Sequence, residues 1–260
     1  MKKKKTALIT GASSGLGVEF AHLCAKKKYD LVLVARSWDK LASVKEEMEN
    51  RYGVTAHVCV ADLSVPDATL EIVRFVQEKE LQIDILINNA GFGDSGDFAD
   101  SDWKRQYDMV QVNVVALMQL THCFLKPMMA QGGGRILNIA SIAAFTAGPT
   151  MSIYFATKAF VASFSESVAD EVKGSGVSVT TFFPGPTNTG FQEAAQMDAD
   201  TVMFRKAAKA PVVAKRAFRA MMKRKVIRYC GAYAATMNVL CRLSPRALSR
   251  SCARKMTGVS

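Results

Sequence analysis

The sequence TGASSGLG occupies residues 10–17 and stands between a short apolar run and a helix-like segment. The run before it, residues 5–10, has the length of a buried strand, and residues 18–28 repeat apolar side chains at helical spacing. Gly11 would allow a tight turn, and the two later glycines would let the backbone approach a ligand and let the helix pack on the strand. A glycine turn that follows a strand and opens a helix is typical of a site for a dinucleotide pyrophosphate, because the first N–H groups of a helix lack partners within it.

Strand-like and helix-like segments alternate through the rest of the chain at intervals of roughly 25–30 residues. This alternation predicts an α/β fold, a doubly wound parallel sheet (Rossmann fold) of about seven strands, with helices on both faces and the first strand central. We expect one domain over residues 1–260, because no Pro/Ser-rich linker or internal repeat divides the chain. The predicted strands are 5–10, 31–35, 55–60, 83–87, 136–140, 177–183 and 226–230, and the main predicted helices are 18–28, 37–52, 67–80, 102–129, 151–172 and 211–224.

Composition excludes several other classes of protein. The chain is 49% hydrophobic and 22% charged, which suits a single substantial core. None of its six cysteines stands in a C-x-x-C pair and most lie in apolar runs, so we expect buried thiols, no metal site and a reducing, cytoplasmic location. The longest uncharged stretch, residues 136–157, is interrupted by Asn, Ser, Gly and Pro, which argues against a transmembrane helix.

Two residues at predicted strand ends bear on which dinucleotide would bind. Arg36 follows the second strand, where an acidic residue would accept hydrogen bonds from a ribose; its planar cation suits a 2′-phosphate instead and so favours NADP. The alternative is a surface arginine at the start of a helix. Asp62 follows the third strand and could meet the adenine amine, or could cap a helix beginning near Pro66.

Residues 141–158, SIAAFTAGPTMSIYFATK, hold the strongest candidates for chemistry. Tyr154 and Lys158 are four apart, which places both side chains on one face of a helix. A nearby ammonium favours the phenolate and would lower the tyrosine pKa from its usual value of about 10. Ser141 follows an apolar strand, whose carboxyl end in such a sheet meets the ligand crevice. The alternative is a chance pairing on an amphipathic helix.

Asn113 lies between two valines on an otherwise apolar face of the predicted helix 102–129. A buried amide there requires hydrogen-bond partners. It is interpreted either as a core asparagine with satisfied bonds or as the holder of a water behind Lys158.

Taken together, residues 5–191 resemble the short-chain dehydrogenase/reductase family. TGASSGLG resembles its cofactor turn, NNAG at 88–91 its fourth-strand signature, PGPTNT at 184–189 its nicotinamide segment, and Tyr154 with Lys158 its active-site pair. The surrounding sequence is most similar to a bacterial branch that includes ketoacyl and hydroxysteroid reductases. The resemblance implies a hydride transfer between a nicotinamide and a carbonyl or alcohol carbon.

The resemblance also implies residue roles. Tyr154 would be the proton donor, Ser141 would orient the carbonyl oxygen, and Lys158 would lower the tyrosine pKa and hold the nicotinamide ribose. Asn113 would hold a water that links the lysine to solvent. The expected cofactor contacts are Gly11, Ser13, Ser14, Gly15, Leu16, Gly17, Arg36, Asp62, Leu63, Asn89, Ala90, Gly91, Tyr154, Lys158, Pro184, Gly185, Thr187 and Thr189.

We expect a hydrophobic small-molecule substrate, with pocket walls at 92–98, 142–150 and 186–210, the last being a lid. The apolar residues predicted to form these walls are Phe92, Phe98, Ile142, Phe145, Met151, Phe191 and Met197. The alternative function is an NADP-binding regulatory protein without turnover, against which the complete set of four catalytic residues argues.

Charge is concentrated at the end of the chain. Residues 1–200 carry 19 Lys and Arg against 23 Asp and Glu, whereas residues 201–260 carry 15 basic residues and no acidic one. Arginines at 242, 246, 250 and 254 would form one stripe if residues 232–260 were a single basic helix, which either meets an anionic membrane surface and acts on its lipids or covers the pocket or a partner subunit. No nucleic-acid motif is present, so we expect no nucleic-acid partner. Apolar side chains around helices 102–129 and 151–172 favour a homodimer or homotetramer.

Overall fold

The computed structural model describes residues 4–195 and 207–257. In this part of the chain, seven parallel strands form one sheet and a two-residue pair lies apart from it. The strands are β1 (Thr6–Thr10), β2 (Asp30–Ala35), β3 (Ala56–Val60), β4 (Ile83–Asn88), β5 (Gly134–Ile139), β6 (Val177–Phe183), the paired β7 (Thr187–Asn188) and β8 (Ala208–Lys209), and β9 (Ile227–Tyr229). The helices are α1 (Gly15–Lys26), α2 (Trp38–Tyr52), α3 (Ala68–Glu78), α4 (Trp103–Val110), α5 (Leu117–Ala130), α6 (Ser152–Glu171), α7 (Phe191–Ala194), α8 (Ala210–Met222), α9 (Ala232–Leu243) and α10 (Arg246–Thr257).

The sheet has the strand order β3-β2-β1-β4-β5-β6-β9, which confirms the predicted doubly wound fold. The order reverses between β1 and β4, and ligands bind at such a point beyond the carboxyl ends of the strands. Successive strand residues face opposite sides. Ile9 packs in the core with α1, α2 and α8, whereas Leu8 packs in the core with α3, α5 and α6.

The predicted helix 102–129 is interrupted. Its middle, Gln111–Ala116, is a π-helical segment between α4 and α5. Such segments carry one extra residue in a turn and are frequent at functional sites. Asn113 lies within this segment, and its buried amide bonds to atoms outside the helix. Apolar periodicity does not reveal a wider turn, so the sequence missed it.

The basic tail is two helices instead of one. Pro245 follows α9, and proline cannot donate the backbone hydrogen bond that would continue a helix. Arg242 therefore lies on α9, while Arg246, Arg250 and Arg254 lie on α10, so the predicted stripe of four arginines is wrong. The predicted lid includes residues 196–206, which lie outside the described part of the chain; its flanks pair as β7 and β8.

All six cysteines are free thiols. Cys24 and Cys59 are buried, and Cys123, Cys230 and Cys241 are partly buried. Cys252 is exposed, so the expectation of buried thiols is wrong for Cys252. Within residues 4–195 and 207–257, no helix combines the length and the apolar character needed to cross a bilayer.

Candidate active site

A cavity of about 1040 Å³ opens beyond the carboxyl ends of β1, β4, β5 and β6. Its wall combines the glycine turn after β1, the segment after β4, and the first turns of α6. All the predicted site residues line this cavity except Gly17 and Asn113, which lie behind its wall. The tertiary structure thus gathers residues that are spread over almost 180 positions of the sequence.

The glycine turn has the shape of a dinucleotide cradle. Gly11 adopts φ +66°, and a Cβ there would come within 2.9 Å of Asn89 Nδ2. A Cβ on Gly17 would lie 2.0 Å from the Gly11 carbonyl oxygen, so this glycine allows helix α1 to pack on the turn. Ser14 caps α1 without a side-chain hydrogen bond, and Gly15 lines the cavity. The residues present therefore fit a pyrophosphate bound at a helix N-terminus.

The NNAG segment is bound tightly to the glycine turn. Asn89 Nδ2 donates to the Thr10 carbonyl oxygen at 2.9 Å, and the backbone N–H groups of Asn89 and Ala90 both donate to Thr10 Oγ1 at 3.0 Å. The Asn89 amide therefore fixes the distance between the two loops. The sequence predicts that Asn89 contacts the cofactor. In the structure its side-chain amide bonds to the backbone of the glycine turn, and its contact with the cofactor stays a prediction.

Asn113 holds the loop after β4 in place. Its Oδ1 accepts from the Phe92 N–H at 3.0 Å, and its Nδ2 donates to the Phe92 carbonyl oxygen at 2.9 Å and to Thr157 Oγ1 at 3.1 Å. A Cβ on Gly91 would lie 2.9 Å from Asn113 Oδ1 and 3.3 Å from Lys158 Nζ, so the loop passes between these side chains. Both amide hydrogens are used within the protein, which gives Asn113 a positioning role; its role in holding a water stays a prediction.

Ser141, Tyr154 and Lys158 meet in the wall of the cavity. Ser141 follows β5, and its hydroxyl lies near enough to that of Tyr154 to favour the phenolate. Lys158 lies one turn further along α6; its Nζ donates to the Ile139 carbonyl oxygen at 3.1 Å and lies 5.7 Å from the centre of the Tyr154 ring. The spacing in the sequence therefore gave the correct neighbours.

Burial dominates the ionisation of this pair. Burial raises the pKa of Tyr154 to about 12, although the Ser141 hydroxyl acts in the opposite direction. Burial also lowers the pKa of Lys158 to about 8. The expected lowering of the Tyr154 pKa is therefore not seen. The free energy needed to remove the phenolate from water exceeds the stabilisation that the phenolate gains from its neighbours. Tyr154 remains a protonated donor at neutral pH.

Arg36 stands at the far end of the cavity, exposed and beside Asp62. Burial alone would raise the pKa of Asp62, but hydrogen bonds from Ser64 and the charge of Arg36 hold that pKa below its ordinary value. Asp62 caps no helix, since α3 begins after Asp67 and Asp62 Oδ1 accepts from Ser64. Lys40 also lines this end, four residues after Arg36, and the sequence analysis missed it.

Known proteins resemble this chain in both architecture and amino-acid sequence. The model of the short chain dehydrogenases matches residues 5–200. The chain belongs to the short-chain dehydrogenase family. An uncharacterised oxidoreductase of Bacillus subtilis strain 168, YvrD, is 37% identical over 210 residues, which are 76% of this chain and 78% of that protein. A 7β-hydroxysteroid dehydrogenase of Mediterraneibacter gnavus is 32% identical over 182 residues, covering 70% of this chain and 68% of that protein.

A solved structure extends the comparison. A short-chain dehydrogenase from Sphingobium yanoikuyae, in complex with NADPH, matches with a TM-score of 0.83 at 32% identity and covers 91% of this chain and 92% of that chain. The resemblance seen in the sequence is therefore confirmed. The protein described here is therefore an oxidoreductase that uses a nicotinamide dinucleotide.

The substrate end of the dehydrogenase differs in part from the sequence-based expectation. Phe92, Ile142, Met151 and Phe191 line the cavity as predicted. The side chain of Phe145 packs elsewhere, against Phe183 and Tyr229, and Phe98 is exposed, so both assignments are wrong. Met197 lies outside the described residues. Of the alternatives that the sequence left open for the tail, cover over the pocket is the one seen here: α9, α10 and the link between them complete the wall, through Met237, Leu240, Cys241, Ser244, Leu248, Ser249, Cys252, Ala253 and Met256.

A charged cluster that the sequence analysis missed holds the mouth of this cavity. Asp94 is buried and accepts from Arg105 Nε and, at 2.7 Å, from Gln106 Nε2. The Arg105 guanidinium also donates to the Ala194 carbonyl oxygen, at the end of α7. Arg105 thus ties the loop after β4 to the segment that carries Phe191, whose ring lies 5.3 Å from that of Tyr154.

Proposed function

We propose that this protein is an NADP-dependent reductase or dehydrogenase that transfers a hydride between the nicotinamide and a carbonyl or alcohol carbon of a hydrophobic substrate. The observation that carries the proposal is that Ser141, Tyr154 and Lys158 line one cavity with the glycine turn, with Lys158 Nζ 5.7 Å from the centre of the Tyr154 ring.

The side chains divide the reaction between them. The bound dinucleotide supplies or accepts the hydride. Tyr154 gives its proton to the carbonyl oxygen in reduction and takes it back in alcohol oxidation, and Ser141 donates a hydrogen bond to the same oxygen. Lys158 is close enough to the phenol to stabilise its anion, and its remaining N–H groups suit ribose hydroxyls.

A hydrophobic substrate is favoured by the composition of the wall near Tyr154. Four apolar side chains, Phe92, Ile142, Met151 and Phe191, lie at this end of the cavity, and the described helices of the tail add leucines and methionines. Apolar area of this kind binds a ligand mainly by removing hydrocarbon from water.

The proposed activity is tested by following NADPH oxidation with a panel of apolar ketones, aldehydes and acyl thioesters. We expect turnover with at least one class. NADPH binding without turnover across the panel would support the regulatory alternative, which predicts binding and no chemistry.

Replacing Arg36 with leucine is expected to remove a preference for NADP(H) over NAD(H). A charge-assisted contact with a 2′-phosphate contributes roughly 1.5–3 kcal/mol, which corresponds to about a 10- to 150-fold preference in the unaltered enzyme. Calorimetric titration of both cofactors measures the ratio. Arg51→Leu is the control, since Arg51 is exposed at the other end of α2. Equal affinities in the unaltered enzyme would contradict the assignment of Arg36.

We also propose that the enzyme is a homodimer. Much of the apolar surface that suggested this from the sequence is core, because Leu117, Leu120 and Phe124 are buried against the sheet. Phe160 remains 38% exposed on α6 and is stacked on Phe164 at 5.6 Å. Phe164 is partly buried, so the pair presents one exposed aromatic ring on a long helix, and aromatic residues are enriched at protein interfaces.

The substitution Phe160→Glu is expected to weaken the dimer at least about 10-fold, because a charge would be buried without a partner. Mass photometry across a dilution series measures the dimer fraction. Trp38→Glu, on α2 and 59% exposed, is the matched control. A single monomeric mass for the unaltered chain at micromolar concentration would exclude the dimer.

The described tail offers both a pocket wall and an exposed apolar surface. Leu240, Leu248 and Met256 belong to the cavity wall, but Leu240, Leu243 and Leu248 are 52%, 80% and 55% exposed. An amphipathic helix that binds a membrane needs its apolar face free, and these leucines leave part of that face free. Peripheral membrane binding therefore stays a prediction, which the basic charge and the exposed leucines support.

A further inference from the structure

Helix α10 turns a face of small residues toward the body of the enzyme. Its buried residues are Ser249, Ala253 and Thr257, which follow one another at intervals of one turn. Arg246, Arg250 and Arg254 are exposed. The inner face is therefore narrow, and it carries two hydroxyl groups.

The end of α10 is anchored next to the catalytic tyrosine. Thr257 Oγ1 lies 3.2 Å from Thr150 Oγ1 and donates to the Pro149 carbonyl oxygen at 3.3 Å. Thr150 has φ +67°, a conformation that is rare for a β-branched residue and is held here by its surroundings. Ala253, one turn back, packs in the same apolar cluster as Tyr154. These contacts hold the C-terminal half of α10 close to Tyr154.

Ser249 is the third residue of this face, and its hydroxyl is unpartnered within the described part of the chain. The residue is 9% exposed and belongs to the cavity wall, and its Oγ has no hydrogen-bond partner among residues 4–195 and 207–257. A buried hydroxyl that makes no hydrogen bond is destabilising, and a ligand that completes it is one explanation for its presence. Six such buried side-chain atoms occur in the described residues, and Ser249 Oγ is the one whose residue lines the cavity. The next inward turn of the helix, at Ala253, is about 6 Å away along the axis.

Resting on the proposed function, we propose that Ser249 is a specificity-determining residue that hydrogen-bonds a second oxygen of the substrate, remote from the reacting carbonyl. The substrate class is then an apolar ketone whose body carries a hydroxyl, carbonyl or carboxylate group. The proposal requires that Oγ reach the cavity by a rotation about χ1 between staggered positions. The neighbouring wall residues Leu248 and Met256 supply apolar contact only, so Ser249 determines where the second oxygen lies.

The test compares 4-phenylcyclohexanone with its ortho-, meta- and para-hydroxyphenyl analogues, which differ only in the remote oxygen. We expect the enzyme to prefer at least one hydroxylated ketone in kcat/KM, and Ser249→Ala to reduce that preference by about 3- to 10-fold. Ser249→Thr should retain part of it, because the hydroxyl remains. Ser251→Ala is the matched control, since Ser251 is an exposed serine of the same helix and is not among the residues of the cavity wall.

Two further measurements separate the possible failures. Calorimetric binding of the same ketones to the complex with NADP⁺ reports the preference without turnover, so a Ser249-dependent binding preference without reduction would reject the proposed function and keep this inference. Thermal unfolding of Ser249→Ala should show an unchanged or higher midpoint, because an unsatisfied hydroxyl is removed. A lower midpoint, no preference among the four ketones, or a preference that survives in Ser249→Ala would each overturn the assignment.

Discussion

Replacing Tyr154 with phenylalanine is expected to lower kcat/KM for carbonyl reduction by about 100- to 10,000-fold, because the ring remains and the proton donor is lost. The Tyr154 ring packs against Phe155 and Phe191, contacts that phenylalanine preserves. NADPH affinity should change little. Steady-state kinetics and cofactor titration measure the two effects separately. The control is Tyr52→Phe, which removes a hydroxyl bonded to His22 far from the cavity.

The pH dependence of the two reaction directions follows from the same residue. Since burial raises the pKa of Tyr154 to about 12, the donor stays protonated through the neutral range, and reduction should vary little with tyrosine ionisation up to about pH 10. Oxidation needs the phenolate, whose fraction rises with pH, so its rate should increase from pH 7 to pH 10. Near-normal reduction by Tyr154→Phe would remove Tyr154 from the mechanism.

Replacing Lys158 with methionine is expected to stabilise the fold while it abolishes most activity. The lysine is 6% exposed, burial lowers its pKa to about 8, and its Nζ donates to the Ile139 carbonyl oxygen. At pH 7 the folded protein must keep this buried ammonium charged. The methionine variant should therefore be more stable by ~2–3 kcal/mol at pH 7, with activity at least ~100-fold lower.

The sign of the pH effect makes this prediction specific. Between pH 8 and about pH 10.5 the unfolded chain binds a proton at Lys158 that the folded chain has released, so the stability of the unaltered protein rises with pH in this window. The advantage of Lys158→Met should shrink accordingly. Denaturant unfolding at pH 7 and pH 9.5 measures it, with Lys126→Met on the exposed face of α5 as control. A variant that is less stable at pH 7, by the same amount at both pH values, contradicts the prediction.

Local sequence patterns were sufficient to predict the features that depend on residues close together in the chain. The seven strands of the main sheet match apolar runs bounded by glycine and polar turns, because a strand buried on both faces must be apolar throughout. The glycine turn was equally clear, since Gly11 has a positive φ and a Cβ on Gly17 would lie 2.0 Å from the Gly11 carbonyl oxygen, and both features are local to residues 10–17. Tyr154 and Lys158 were found because a helix places residues four apart on one face.

Contacts between distant segments decided the rest. The π-helical turn depends on bonds from Asn113 to Phe92 and Thr157, which no local pattern records. Phe145 was assigned to the pocket from its position in the chain, but its ring packs on Tyr229, more than 80 residues later.

The sequence by itself was sufficient for the fold class, because this depends on periodicity, and for the family, through the resemblance of its motifs; it also predicted the reacting groups from a short spacing. Only the tertiary structure decided the ionisation of those groups and the shape of the substrate site. The pKa of Tyr154 is governed by burial, which depends on what covers the ring, including Phe191. Ser249 lies 95 residues after Tyr154, and only the packing of α10 against Thr150 brings it to the same cavity.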